Sequence, residues 1–63
     1  MNKVKHASQF LMKYPDKWHS YNPNFKTVSI VCALVNLGIA KVNEFNQFKL
    51  KSKSHASQYI NTH

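Results

Sequence analysis

Apolar residues recur through the opening stretch KVKHASQFLMKY at Val4, Ala7, Phe10, Leu11 and Tyr14. That is the i, i+3, i+4, i+7 spacing of one helical face. Lys5, Ser8, Gln9 and Lys13 fill the other side. The pattern predicts an amphipathic helix over residues 3–14, with Asn2 as its N-cap and Pro15 ending it, because the residue before a proline avoids helical backbone. In TVSIVCALVNLG, Ile30, Val31, Leu34 and Leu37 share one face at about 100° per residue. Ser29, Cys32 and Asn36 share the opposite face. Thr27 is a good cap, Asn24 an alternative start one turn earlier, and Gly38 stands where a left-handed stop is wanted. In IAKVNEFNQFKLK the period changes to two. Ala40, Val42, Phe48 and Leu50 point one way, and Lys41, Lys49 and Lys51 the other. A polar turn near residues 44–46 makes the pair a hairpin. In the tail KSKSHASQYINTH, Ser54 is a candidate cap for a short helix with Ala56, Tyr59 and Ile60 on one face. HASQFL at residues 6–11 returns as HASQYI at 55–60, which fits either two terminal helices with similar apolar faces that could pack together or a chance similarity.

Residues 15–26, PDKWHSYNPNFK, are the least regular. They fit either a single helical turn opening at Pro15 or a short strand within residues 17–21. Trp18, Tyr21 and Phe25 are expected to pack under the helices. Phe45, in the hairpin turn, is expected to fold back onto the core, the alternative being an exposed aromatic that anchors a protein interface.

Sixty-three residues hold one domain, spanning 1–63, with a small core. Cys32 is the only cysteine, so no internal disulfide supports it, and self-association is the natural supplement. The basic start MNKVKH leads into no long apolar run, so no secretory leader is expected. The apolar stretch over residues 28–40 is shorter than the roughly 20 residues a bilayer span needs. A cytoplasmic protein without a membrane partner is expected.

Charge changes the picture most. Nine lysines stand against Asp16 and Glu44, giving a formal net charge of +7, with no arginine. Such an excess suits polyanions. Lysine meets phosphate as a point charge, whereas arginine is the usual bidentate reader of guanine. Backbone contact is therefore favoured over base reading. An all-solubility role for the lysines is the plain alternative.

Residues 27–50, TVSIVCALVNLGIAKVNEFNQFKL, resemble the recognition helix and wing of the winged helix-turn-helix family. The features they share with it are a leucine-glycine stop and a hairpin with a polar turn. The helix at residues 3–14 is similar to the family's first helix. Size and lysine-asparagine bias resemble small bacteriophage or mobile-element proteins. The resemblance implies an α+β fold: an amphipathic N-terminal helix, a recognition-type helix, a two-stranded β-hairpin wing and a short C-terminal helix. It implies double-stranded DNA as partner and a role in transcription or another DNA transaction, at the nucleoid of a bacterial host. Residues 15–26 depart from the family by leaving no room for a full second helix. The recognition-type helix departs from it by carrying no basic residue.

On this reading Lys26, Thr27, Ser29 and Asn36 are the helix candidates, asparagine being able to pair with adenine. Lys41, Lys49, Lys51 and Lys53 are the phosphate contacts. The alternative is a protein-interaction module, a homodimer or an adaptor for a host protein, using the small residues beside Val28, Ala33, Cys32 and Val35. No cofactor or enzyme activity is expected. His6, His19, His55 and His63 lack paired ligand spacing. Cys32 lacks an orienting base and is expected to be partly buried. One glycine cannot build a phosphate-cradling loop. A membrane-surface role for residues 3–14, with Lys3, Lys5 and Lys13 opposite Phe10 and Leu11, competes with the core for the same apolar face.

Overall fold

The computed structural model describes residues 2–22 and 27–63. They form an α+β arrangement of three helices and a three-stranded antiparallel sheet, in the order α1 (Lys3–Lys13), β1 (His19–Ser20), α2 (Thr27–Asn36), β2 (Ala40–Val42), β3 (Gln47–Leu50) and α3 (Lys53–Thr62).

The first helix forms close to its expected span, but its buried face is rotated from the expected one. Ser8, placed on the polar side by the pattern, is buried with Leu11, whereas Phe10 and Tyr14 are 44% and 43% exposed, Phe10 resting on the His19 ring beside the sheet. Asn2 has extended backbone and its Oδ1 accepts the Lys5 N–H at 3.0 Å. That satisfies one of the four N–H groups a helix start leaves unpaired. The Asn2 amide also donates to Tyr59 Oη at 3.2 Å, tying the cap of α1 to α3. Leu11 and Ser8 are fully buried. Ser8 is tolerated because its hydroxyl donates to the Val4 carbonyl at 2.8 Å, so no polar group is left bare.

Residues 15–22 settle as the strand alternative. Residues 15–16 are a turn, and His19 and Ser20 pair with Phe48 and Gln47 of β3. The sheet order is β1-β3-β2, so the hairpin is not a free two-stranded wing as expected but two-thirds of a sheet, with β3 central. Thr27 is helical rather than the residue before the helix. The alternative start at Asn24, and Phe25 with its expected packing, lie outside the described residues.

Val31 and Leu34 of α2 are buried as expected, but Leu37 is 44% exposed. The cause is the way the helix stops. Gly38 takes φ +75. Its N–H reaches the Val35 carbonyl at 3.0 Å and the Ile39 N–H reaches the Leu34 carbonyl at 2.9 Å. This paired 5→2 and 6→1 closure is a Schellman stop, which brings the residue after the glycine back against the last helical turn. Ile39 therefore enters the core beside Leu34, and Leu37 is turned outward.

Ala40 pairs with Leu50, Lys41 with Lys49 and Val42 with Phe48. Ala40 and Leu50 are buried against Leu11, Leu34, Ile39 and Ala56. Val42, on the same side, is 44% exposed at the far end of its edge strand. Glu44, Phe45 and Asn46 form a three-residue connection ending in left-handed Asn46 (φ 57), a favoured hairpin geometry. Asn43 Oδ1 fastens it by accepting from Phe45 N at 2.9 Å and Gln47 N at 3.2 Å. So held, Phe45 stands 72% exposed rather than folding back onto the core.

Ser52, not Ser54, caps α3, accepting the His55 N–H at 3.2 Å. The helix begins earlier because the Ile39 carbonyl holds the Lys51 N–H at 2.8 Å and so fixes where the chain leaves β3. As the repeated HASQ pattern suggests, α3 packs on α1. The two copies are used differently: α1 buries Ser8 and Leu11, whereas α3 buries Ala56.

Candidate nucleic-acid interface

Strand alternation decides what the sheet presents outward. Ala40 and Leu50 face the helices, so Lys41 and Lys49, directly opposite one another between them, face away. His19 pairs with Phe48 and lies on the inner side, its ring 4.6 Å from Phe10 and 5.6 Å from Phe48. Its neighbour Trp18 therefore projects outward. The indole meets both lysines there: Lys49 Nζ is 5.7 Å and Lys41 Nζ 6.0 Å from the ring centroid. Two ammonium groups, one from β2 and one from β3, thus converge on one half-buried aromatic ring. Each ammonium still offers N–H donors, since a cation–π contact draws on its charge and not on a hydrogen bond to an acceptor.

The other predicted site residues are placed less uniformly. Lys51 is exposed one residue past β3, in line with Lys49 by alternation. Lys53 is exposed in the first turn of α3. Ser29 and Asn36 are exposed on α2, in the helical layer on the other side of the sheet. Thr27 opens that helix, and Lys26 lies outside the described residues. The structure thus brings Lys41 and Lys49 together with Lys51 in line, and carries Ser29 and Asn36 on a different layer.

Trp18 is the residue that sequence reasoning missed. It was expected under the helices, and it lies on the lysine side of the sheet instead. The signal was present in the strand alternative for residues 17–21, where alternation already sets Trp18 opposite in sense to His19.

Around Asn36 the surface is apolar. Val28, Val31, Cys32, Val35 and Val42 join Asn36 and Tyr21 in lining a groove of about 320 Å³ between α2 and the sheet. Cys32 is exposed, contrary to the partly buried thiol expected. Being mid-helix, it sits among outward-facing residues rather than toward Leu34.

Among the described residues no group of three or more histidine, cysteine or acidic side chains converges in a way that would hold a metal. His55 Nδ1 lies 2.8 Å from Ser52 Oγ, and His63 stacks on Tyr59 at 4.1 Å. Among them no helix is long and apolar enough to cross a membrane.

Fold and surface together define a small basic α+β protein with a lysine–tryptophan sheet face. No protein-family model, curated protein or solved structure matches the chain.

Proposed function

We propose that the chain is a small, non-enzymatic DNA-binding protein of the winged helix-turn-helix type, acting in transcription or another DNA transaction and gripping phosphates through its sheet face. The observation that carries this reading is the cross-strand pair Lys41 and Lys49. Like charges directly opposite in a sheet weaken it, and a polyanion relieves the repulsion. The formal charge of +7 without arginine favours phosphate contact of low sequence selectivity. The order helix, strand, helix, hairpin, with the first strand pairing to the last, is compatible with the winged arrangement.

Duplex binding measured against salt is the test. Phosphate contacts require log affinity to fall linearly with log salt, by about 0.9 per contact. Absence of DNA binding at low salt, to duplex and to single strand alike, overturns the reading.

One observation favours a second reading, a protein-interaction module: Val35, Leu37 and Val42 are each about two-fifths exposed, with Cys32 exposed beside Val35. Capture of a specific host protein that persists after nuclease treatment, by a chain that does not bind DNA, would establish it instead.

A further inference from the structure

Trp18 asks for more than phosphate contact. Leu11, Leu34, Ile39, Ala40, Leu50 and Ala56 make up the core, on the side of the sheet away from Trp18. The largest side chain of the protein instead stands half-buried on the outer face, flanked by two cations. We propose that this face is a stacking site for an unpaired nucleobase, so that the chain prefers single-stranded or locally unpaired DNA to intact duplex. The inference rests on the DNA-binding reading and deepens it by naming the form of nucleic acid.

The chemistry follows from the three side chains. An indole offers a π-face to any base, and stacking on it is tolerant of sequence. Within a duplex both faces of a base are already stacked, so a surface ring gains little there without the cost of unstacking. The flanking ammoniums supply phosphate contacts to either side of the stacked nucleotide. In the free protein they rest over the ring at 5.7 and 6.0 Å. Both repel one another there, and both are on long, flexible stems that can swing to phosphates and leave the ring to a base. Carboxylates alone would satisfy the same two charges but offer the ring no aromatic face, whereas every nucleotide carries both a phosphate and a base, which is why a nucleic acid is the better occupant.

Trp18 is the only tryptophan in the sequence, so its emission reports on this site alone. The intact chain is titrated at low salt with a thymidine oligonucleotide of about a dozen residues. Parallel titrations use an abasic deoxyribose-phosphate oligomer of equal charge, a duplex of equal length and polyglutamate. The thymidine strand is expected to bind about tenfold more tightly than the abasic strand, as one stacked base implies, and to quench Trp18. Trp18→Ala should bring that ratio close to one, whereas Trp18→Phe should retain most of it. Lys41→Gln with Lys49→Gln should weaken both strands alike. Circular dichroism establishes that each variant is folded, and the wild-type comparison of thymidine with abasic strands needs no variant at all. Equal affinity for the thymidine and abasic strands, or duplex binding as tight as that of the thymidine strand, overturns the stacking inference and leaves the DNA-binding reading intact. Failure to bind any DNA overturns both. Polyglutamate binding as tight as the thymidine strand overturns the inference in favour of an acidic protein partner.

Discussion

Lys41→Glu should separate binding from stability. Lys41 faces Lys49 directly across the β2–β3 pair. A cross-strand charge pair contributes about 0.2–1 kcal/mol, favourable for opposite signs and unfavourable for like ones. Reversing one charge therefore turns a repulsive pair into an attractive one. Against this stands the Lys41–Trp18 contact at 6.0 Å, an exposed cation–π interaction of about 0.5–1 kcal/mol. The two terms nearly cancel, and the variant should unfold within about 4 °C of the parent, the shift that roughly 0.5 kcal/mol produces in a chain this size. DNA affinity should respond quite differently. If Lys41, Lys49, Lys51 and Lys53 each meet one phosphate, the log–log salt slope is about −3.6. Replacing +1 by −1 at one of the four positions removes a contact and lowers the net charge by two. The slope should shrink by about 0.9 or more, with about a tenfold loss of affinity at low salt. Thermal melts followed by circular dichroism give the first quantity, and anisotropy titrations across a salt series give the second. Undiminished affinity with an unchanged slope would place the interface elsewhere. A loss of stability beyond about 1.5 kcal/mol would mean that the charges on the outer face support the fold, against the sum of these pair terms.

Gly38→Ala should cost about 1–2 kcal/mol, because φ +75 is left-handed. The new Cβ would sit 3.4 Å from His55 Cδ2, and that exposed side chain can yield, so backbone strain dominates. Gly38→Asn should recover part of the loss, and equal melting of Gly38→Ala and parent would contradict the Schellman stop. Asn43→Ala removes the acceptor shared by Phe45 N and Gln47 N, which should cost about 1 kcal/mol in urea unfolding. Asn43→Asp, which keeps the acceptor oxygen, should lose less, and the reverse order would refute the assigned role of that oxygen. Asn36→Ala should leave the salt slope of duplex binding unchanged, since Asn36 belongs to the helical layer, and any effect should appear only in sequence preference. A reduced slope would place Asn36 among the phosphate contacts.

Much of the fold was legible because its signals are local. The span and cap of α1, the Leu37-Gly38 stop and the alternation of Lys41, Val42, Phe48, Lys49 and Leu50 each follow from spacing within a few residues. What escaped depends on contacts distant in sequence. His19 and Ser20 are too few to show a period, and they become a strand only because the edge of β3 offers unpaired backbone groups. That pairing also sets the side on which Trp18 emerges, so a residue whose bulk alone suggests the core arrives on the surface. The choice of Ser52 over Ser54 as cap was likewise fixed remotely, by the Ile39 carbonyl. Leu37 fits the helical face by periodicity, but it lies beyond the last helical residue, where periodicity no longer applies.

The lysines themselves argue that the sheet face was shaped for something other than folding. Lys49 occupies the central strand, where β-branched or aromatic residues pack best, and it faces another lysine. Lys53 sits in the first turn of α3, where the helix dipole disfavours positive charge and where there is no acidic residue to offset it. Lys13, by contrast, lies in the last turn of α1, where the dipole welcomes it. Solubility alone would be served by lysines at any exposed position and gives no reason to oppose two of them across a strand pair over one indole. An anion bridging Lys41 and Lys49 would remove their repulsion, and Lys51 continues the same face by alternation one residue past β3. The α2 surface has no comparable charge, and its exposed Cys32 and Val35 give it no electrostatic claim on DNA. The helix that resembles a recognition helix is thus the weaker candidate for contact, and the sheet that resembles its wing is the stronger.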